Sequence, residues 1–152
     1  MFKKMRKLFT MMGAIMLLST TIEAKASELQ VVKDTYKWFN QISSEKRMAF
    51  SQNDVAKYFS SDAQMITNAK LACEGIQGHY DHFLELNNHY KILHVDIDAM
   101  DLQQAGERVY LNFVMNAKDW NNLESKIHVM GYMIVKNERI VSFNELFFHE
   151  VV

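Results

Sequence analysis

The side chains able to do acid–base chemistry gather near the end of the chain. Glu145 sits inside the run Phe143 to Phe148, and His128 and Tyr132 lie on the segment before it. A two-residue loop at Asn137-Glu138 would oppose Lys136 to Arg139 and so fix the register of a hairpin. Counting back puts Met130 opposite Glu145, Tyr132 opposite Phe143, Ile134 opposite Val141 and His128 opposite Phe147, all on one side. In that register Glu145 stands in an apolar row with His128 and Tyr132 as diagonal neighbours at about 7 to 8 Å. A carboxylate beside an imidazole is an acid–base pair. Glu145 or His128 would serve as general base, and Tyr132, Tyr110 or Asn112 would donate to a developing oxyanion. Desolvation raises the pKa of such a carboxyl while an imidazolium lowers it, so the two influences oppose. The competing reading is a satisfied or solvated pair. One extra residue in either strand reverses every face beyond it and turns Glu145 outward.

The residues expected to line a ligand pocket are His79, Tyr110, Asn112, Met130, Tyr132, Phe143 and Phe147. His79 would approach from a helix, or act as a hydrogen-bonded wall residue. No metal site is expected. His79 and His82 are three apart, but zinc needs three or four converging ligands and nothing nearby completes the set. No cofactor is expected either, since the chain has no glycine-rich phosphate loop, no G-x-S-x-G elbow and no H-E-x-x-H. Cys73 is the single cysteine. It reads as a small packed residue, with an exposed thiol or a nucleophile as the alternatives.

The elements that must carry these residues follow from periodicity. Ser27 has capping-box spacing, and Leu29, Val32, Tyr36 and Phe39 recur at helical intervals, which predicts a helix from Glu28 to Gln41. Ser51 or Asn53 caps a second, short helix burying Val55, Tyr58 and Phe59, and Ala63 to Thr67 reads as a short strand. After Gly75 a third helix places Ile76, Tyr80, Phe83, Leu84 and Asn87 on one side, with His79 and Leu86 in the same arc and His82 at its edge. From Leu93 to Ala99 the period changes to two, and further strands are predicted over Arg108 to Asn116, Leu123 to Lys136 and Arg139 to His149. Three helices followed by four long strands in a meander make an α+β domain with one curved antiparallel sheet.

The element order, the stretch Tyr58-Phe59-Ser60-Ser61-Asp62-Ala63, the Glu74-Gly75-Ile76 start of the third helix and the closing Glu138-Arg139-Ile140-Val141 hairpin resemble the NTF2-like, or SnoaL-like, superfamily. The resemblance covers nearly all of residues 27–152. It implies a cone in which three N-terminal helices pack on a strongly curved sheet around a pocket, often with dimerisation through the sheet. Superfamily members include isomerases, dehydratases, polyketide cyclases, ligand binders and interaction modules, so the fold alone fixes no chemistry. The turn before the final strand usually contains Asp-Gly, and here Asn137-Glu138 replaces it.

Residues 1–26 read as a secretory signal peptide. Lys3, Lys4, Arg6 and Lys7 precede the greasy run Leu8 to Leu18, and Ala24-Lys25-Ala26 supplies a small-residue exit. The run is too short for a spanning helix, which needs about 20 apolar residues. Cleavage after Ala26 would leave a domain that is periplasmic or secreted, without a membrane segment. The leader holds five of the 17 basic and one of the 18 acidic residues, so residues 27–152 carry a net charge of −5. That balance, with no basic run longer than Lys46-Arg47, argues against nucleic acid as a partner.

Both faces of the last hairpin are rich in apolar groups, so something should cover the outer one, and a homodimer is the simplest cover. The leading expectation is an exported domain that binds a small apolar or ring-containing molecule. The alternatives are cofactor-free isomerase, dehydratase or cyclase chemistry in the same pocket, and an envelope interaction module whose interior is filled by its own side chains. A cavity of about 300 Å³ or more with convergent polar groups would favour a ligand.

Overall fold

The computed structural model describes residues 27–151, so the signal-peptide reading lies outside the described residues. Helix α1 spans Glu28–Ile42 and is capped by Ser27, whose hydroxyl accepts from the Gln30 backbone N–H at 3.2 Å. Its apolar stripe buries Val32, Tyr36, Phe39 and Ile42 at helical spacing. Helix α2, Gln52–Tyr58, starts in a capping box in which Ser51 and Asp54 bind reciprocally. Helix α3 runs over Gly75–His89. Trp38, Phe50, Tyr58 and Phe83 interlock between the helices, with Trp38 stacked on Tyr58 at 4.9 Å between centroids.

The strands are β1 (Phe59–Thr67), β2 (Lys70–Glu74), β3 (Tyr90–Val95), β4 (Asp101–Ala105), β5 (Arg108–Asp119), β6 (Glu124–Lys136) and β7 (Arg139–Val151). They form one sheet in the order β2-β1-β7-β6-β5-β3, with β4 paired to β5. All pairings are antiparallel except β1 with β7. The result is the α+β cone expected: three helices on a strongly curled sheet. The 13-residue strands β6 and β7 are long enough to curl around α1 and close a half-barrel.

Two short strands, β2 and β4, add to the predicted set. The strand expected over Leu93 to Ala99 stops at Val95. There the Asn40 side chain takes both ladder positions, donating to the Val95 carbonyl at 2.8 Å and accepting from its N–H at 2.9 Å. Asp96 then caps a 3-10 turn over Ile97–Ala99. Leu84, placed on the buried side by the helical pattern, is 37% exposed. At the far end of α3, Arg47 donates to the carbonyls of Asn87 at 2.7 Å, Tyr90 and Lys91 at 3.3 Å, and its guanidinium lies 5.0 Å from the Trp120 ring. Hydrogen bonds from a charged donor contribute about 1.5 to 3 kcal/mol. Arg47→Ala is therefore expected to lower the urea-unfolding free energy by about 2 to 3 kcal/mol, with Lys a poor substitute because it lacks the forked donor geometry.

The hairpin β6–β7 turns at Asn137 and Glu138, both at positive φ (49° and 61°), the signature of a two-residue type I′ loop. Lys136 opposes Arg139 as the loop dictates, and Val135 opposes Ile140, but Ile134 opposes Ser142. Val141 is the extra residue of a β-bulge. From there on the expected register is wrong by one: Gly131, not Met130, faces Glu145, Met133 faces Phe143, Val129 faces Phe147, and His128 faces Phe148. Every β6 residue assigned to the inner face on the unbroken register is thereby moved to the outer one.

Candidate functional site

Inside the cone lies a cavity of about 200 Å³ walled by α1, α3 and the concave face of the sheet. This is smaller than the roughly 300 Å³ at which drug-sized pockets begin, but larger than the 150 Å³ cavity known to take benzene. The walls are apolar: Tyr36 and Phe39 from α1, Phe113 from β5, Val129 and Met133 from β6, Phe143 and Phe147 from β7. Ala72 and His149 line it at exposed positions and mark the rim.

Among the described residues Glu145 is the only carboxylate on this lining, and no lysine or arginine joins it. Its position is fixed by the neighbouring strand. Thr67 at the end of β1 pairs with Glu145 in the parallel ladder, and the Thr67 hydroxyl donates to Glu145 Oε1 at 3.0 Å. Asn68 then clamps β7: its N–H donates to the Glu145 carbonyl at 3.0 Å, and its side-chain oxygen accepts from the Phe147 N–H at 3.0 Å. Burial pushes the Glu145 pKa up to about 7, against a smaller downward pull from the Thr67 hydrogen bond. The negative charge of Glu145 is felt by two neighbours. Tyr36 is held well above its ordinary pKa by burial and then by Glu145, and the Cys73 thiol is pushed up to about 12 by the same two causes. Cys73 is thus a buried thiol without thiolate character at neutral pH.

The sequence-derived candidates divide by face. Glu145, Phe143 and Phe147 line the cavity. His128 does not: it lies on the convex face, stacked on Phe148 at 4.6 Å and bonded through Nε2 to Glu150 Oε2 at 2.7 Å. Tyr132, Met130, Tyr110 and Asn112 share that convex face in the cross-strand rows Tyr110–Tyr132–Asn144 and Asn112–Met130–Leu146. The Val141 bulge is the cause, because it reversed β6 relative to β7. The acid–base pair of Glu145 with His128 and the three oxyanion donors are therefore not assembled.

His79 is fully buried but stands behind the wall. Its ring lies 4.4 Å from Phe59, and Nδ1 contacts the Gly75 carbonyl at 2.8 Å while Nε2 has no partner. His82, at the edge of the expected arc, is the helix histidine that lines the cavity. Burial, and next the proximity of His79, pulls the His82 pKa down, and burial pulls His79 down too. A His whose folded pKa is depressed gives stability that is complete above the unfolded pKa near 6.5 and lost as the pH falls below it. His79→Leu is accordingly expected to shrink the loss of unfolding free energy between pH 7 and pH 5, measured by urea titration at both.

Residues missed by sequence reasoning are Tyr36, Thr67, His82 and Met133. Tyr36 was legible only as a core residue of α1. Thr67 gave no signal, because its role depends on a parallel pairing with a strand 78 residues away. No group of three or more potential metal ligands occurs among the described residues.

A domain of three helices in the mouth of a curled sheet, with a pocket at its centre, is the NTF2-like fold. An NTF2-like protein from Burkholderia xenovorans superposes with a TM-score of 0.64 at 12% identity, covering 82% of this chain and 93% of that one. An NTF2-like protein of unknown function from Burkholderia pseudomallei gives 0.63 at 15% identity, covering 81% and 92%. An LEH-like epoxide hydrolase from M. tuberculosis gives 0.63 at 11% identity, covering 80% and 82%. At these identities the likeness is one of fold, shared by enzymes and by proteins of unknown function. No family model and no curated protein matches the sequence.

Proposed function

We propose that this chain is an exported small-molecule-binding protein whose conical cavity takes one apolar, ring-sized ligand and meets its polar atom with Glu145. One observation carries this reading: a desolvated carboxyl, oriented by Thr67 and the only one among the described lining residues, in a largely apolar cavity of about 200 Å³. Protein purified from its native envelope should release a small organic molecule on denaturation, and a panel of ring compounds should raise the melting temperature. Ligand at 100 times its Kd adds about 2.7 kcal/mol of stability. An empty protein that no panel member stabilises would overturn the reading.

The second reading is proton-transfer chemistry on that ligand, favoured by the Glu145 pKa of about 7, which suits a general base at neutral pH. In this form Glu145 takes the proton, and the Tyr36 hydroxyl, held protonated, is a donor on the lining. Glu145→Gln would then lower turnover on an identified substrate by about 10² to 10⁴ while leaving the fold intact.

Export is part of the proposal and is supported by the leader pattern of residues 1–26; a mature chain beginning at Ser27 by mass spectrometry is the expected result. The convex face supports a homodimer. Met130, Leu146, Phe148, Tyr110 and Val114 are each 38–55% exposed there and adjoin across β5, β6 and β7. Phe148→Glu should convert the dimer to a monomer in sedimentation, and a wild-type monomer at high concentration would refute it.

A further inference from the structure

We propose that the cavity selects a small hydrophobic amine, held as its ammonium against the Glu145 carboxylate and boxed by aromatic rings; this rests on the binding role above. A buried carboxylate must be compensated by a proton, a protein cation or a ligand cation. Among the described residues no lysine or arginine lines the cavity to compensate it. Thr67 occupies Oε1 as a donor and leaves Oε2 to accept from a ligand N–H. An anionic ligand would meet that carboxylate with no described lysine or arginine to offset it. A neutral ring would leave Glu145 to be compensated by a proton alone.

The walls suit the same ligand. Tyr36, Phe113, Phe143 and Phe147 present aromatic surface to both the hydrocarbon body and the charged nitrogen, and a desolvated cation is attracted to such ring faces. Inside the rim, the titratable groups facing Glu145 leave no rival charge at neutral pH. Tyr36 on α1, Cys73 on β2 and Tyr90 on β3 are all raised above their ordinary values and stay protonated, and His82 on α3 is lowered and stays neutral. His149 on β7 sits at the exposed rim, and β5 and β6 contribute no titratable group to the lining.

The sign of the pH dependence separates an ammonium from a neutral ligand. An ammonium needs Glu145 ionised, so its affinity climbs as the pH rises through about 7, and binding below that pH releases a proton. A neutral ligand that takes a hydrogen bond from protonated Glu145 shows the reverse.

The test uses benzylamine and benzyl alcohol, which share size and shape, in calorimetric titrations of wild-type protein and Glu145→Gln at pH 6 and pH 8, each in two buffers of different ionisation enthalpy. Wild-type protein should bind benzylamine about tenfold more tightly at pH 8 than at pH 6, following the ionised fraction of a group near 7. Release of close to one proton at pH 6 should appear in the buffer comparison and needs no variant. Glu145→Gln should weaken benzylamine by about 10- to 100-fold, as expected for loss of a charged hydrogen-bond partner, and leave benzyl alcohol within about threefold. Equal or tighter binding of benzyl alcohol at pH 8, or benzylamine binding without proton release at pH 6, would overturn the amine assignment and leave the pocket's binding role standing. Failure of both compounds to bind at millimolar concentration would overturn the binding role and the assignment together.

Discussion

Glu145→Gln is expected to make the protein more stable at pH 8 by about 3 kcal/mol and to change little at pH 4.5. The carboxyl titrates near 7 in the folded protein instead of near 4.5 because burial disfavours its charge. Each unit of displacement is worth about 1.4 kcal/mol. The sign follows from proton counting. Between about pH 4.5 and 7 the folded state binds more protons than the unfolded chain, so raising the pH costs stability across that window and no more above it. The amide cannot ionise and escapes the cost. His79 and His82 act in the opposite direction, losing stability toward acid, but they are common to both proteins and cancel in the difference. Urea unfolding of the two proteins at several pH values gives the curve. A constant gap between them from pH 4.5 to 8 would mean that Glu145 is solvated.

Gly131→Ala should be severely damaging for the addition of a single methyl group. A Cβ at Gly131 would lie 2.0 Å from the Asn144 carbonyl oxygen and 2.9 Å from the Glu145 Cα. Both are backbone atoms of β7, so no side chain can swing aside. Relief requires β7 to move away from β6 at the register position that presents Glu145 to the cavity. Overpacking of this kind costs about 1 to 3 kcal/mol when the surroundings yield, and more than 4 when they do not. The expected outcome is a loss of about 3 to 5 kcal/mol in chemical denaturation, with displaced amide resonances along both strands. Gly106→Ala is the control: its φ is +61° but nothing lies within 4 Å of the added methyl, so only the left-handed backbone penalty of about 1 to 2 kcal/mol applies. Equal effects at the two positions would show that β6 and β7 are not in close approach at Gly131.

Gly131 also explains what sequence alone conveyed and what it did not. The helices were legible because α1 and α3 carry apolar residues at a clean period and their start signals, Ser27 and Gly75, are strong. The long strands β5, β6 and β7 alternate over 12 or 13 residues and announce themselves. The short strands were silent for the opposite reason. Lys-Leu-Ala-Cys-Glu buries only Cys73, and Asp-Leu-Gln-Gln-Ala buries nothing fully, so neither shows an alternating face. The register of the hairpin failed at Val141, where two apolar residues in succession, Ile140 and Val141, are compatible with either phase. A glycine inside an otherwise apolar strand is a mark of a bulge or of close backbone approach, and Gly131 carried that signal unread. The consequence is specific. The apolar row around Glu145 marks the pocket face of β7, but the His128 and Tyr132 that an unbroken register sets beside it are sent to the other side by the bulge. Its hydrogen-bond partner Thr67 and its neighbour Tyr36 come from elements whose proximity no local pattern records.

Carbon-13 NMR of the Glu145 side-chain carboxyl, followed from pH 3 to pH 9 with Glu145→Gln used for assignment, tests the buried carboxyl most directly. A midpoint near 7 is the expected result, moving lower when benzylamine fills the cavity. A midpoint in the ordinary range near 4.5, unmoved by any ring compound, would place the carboxyl in water and remove the site.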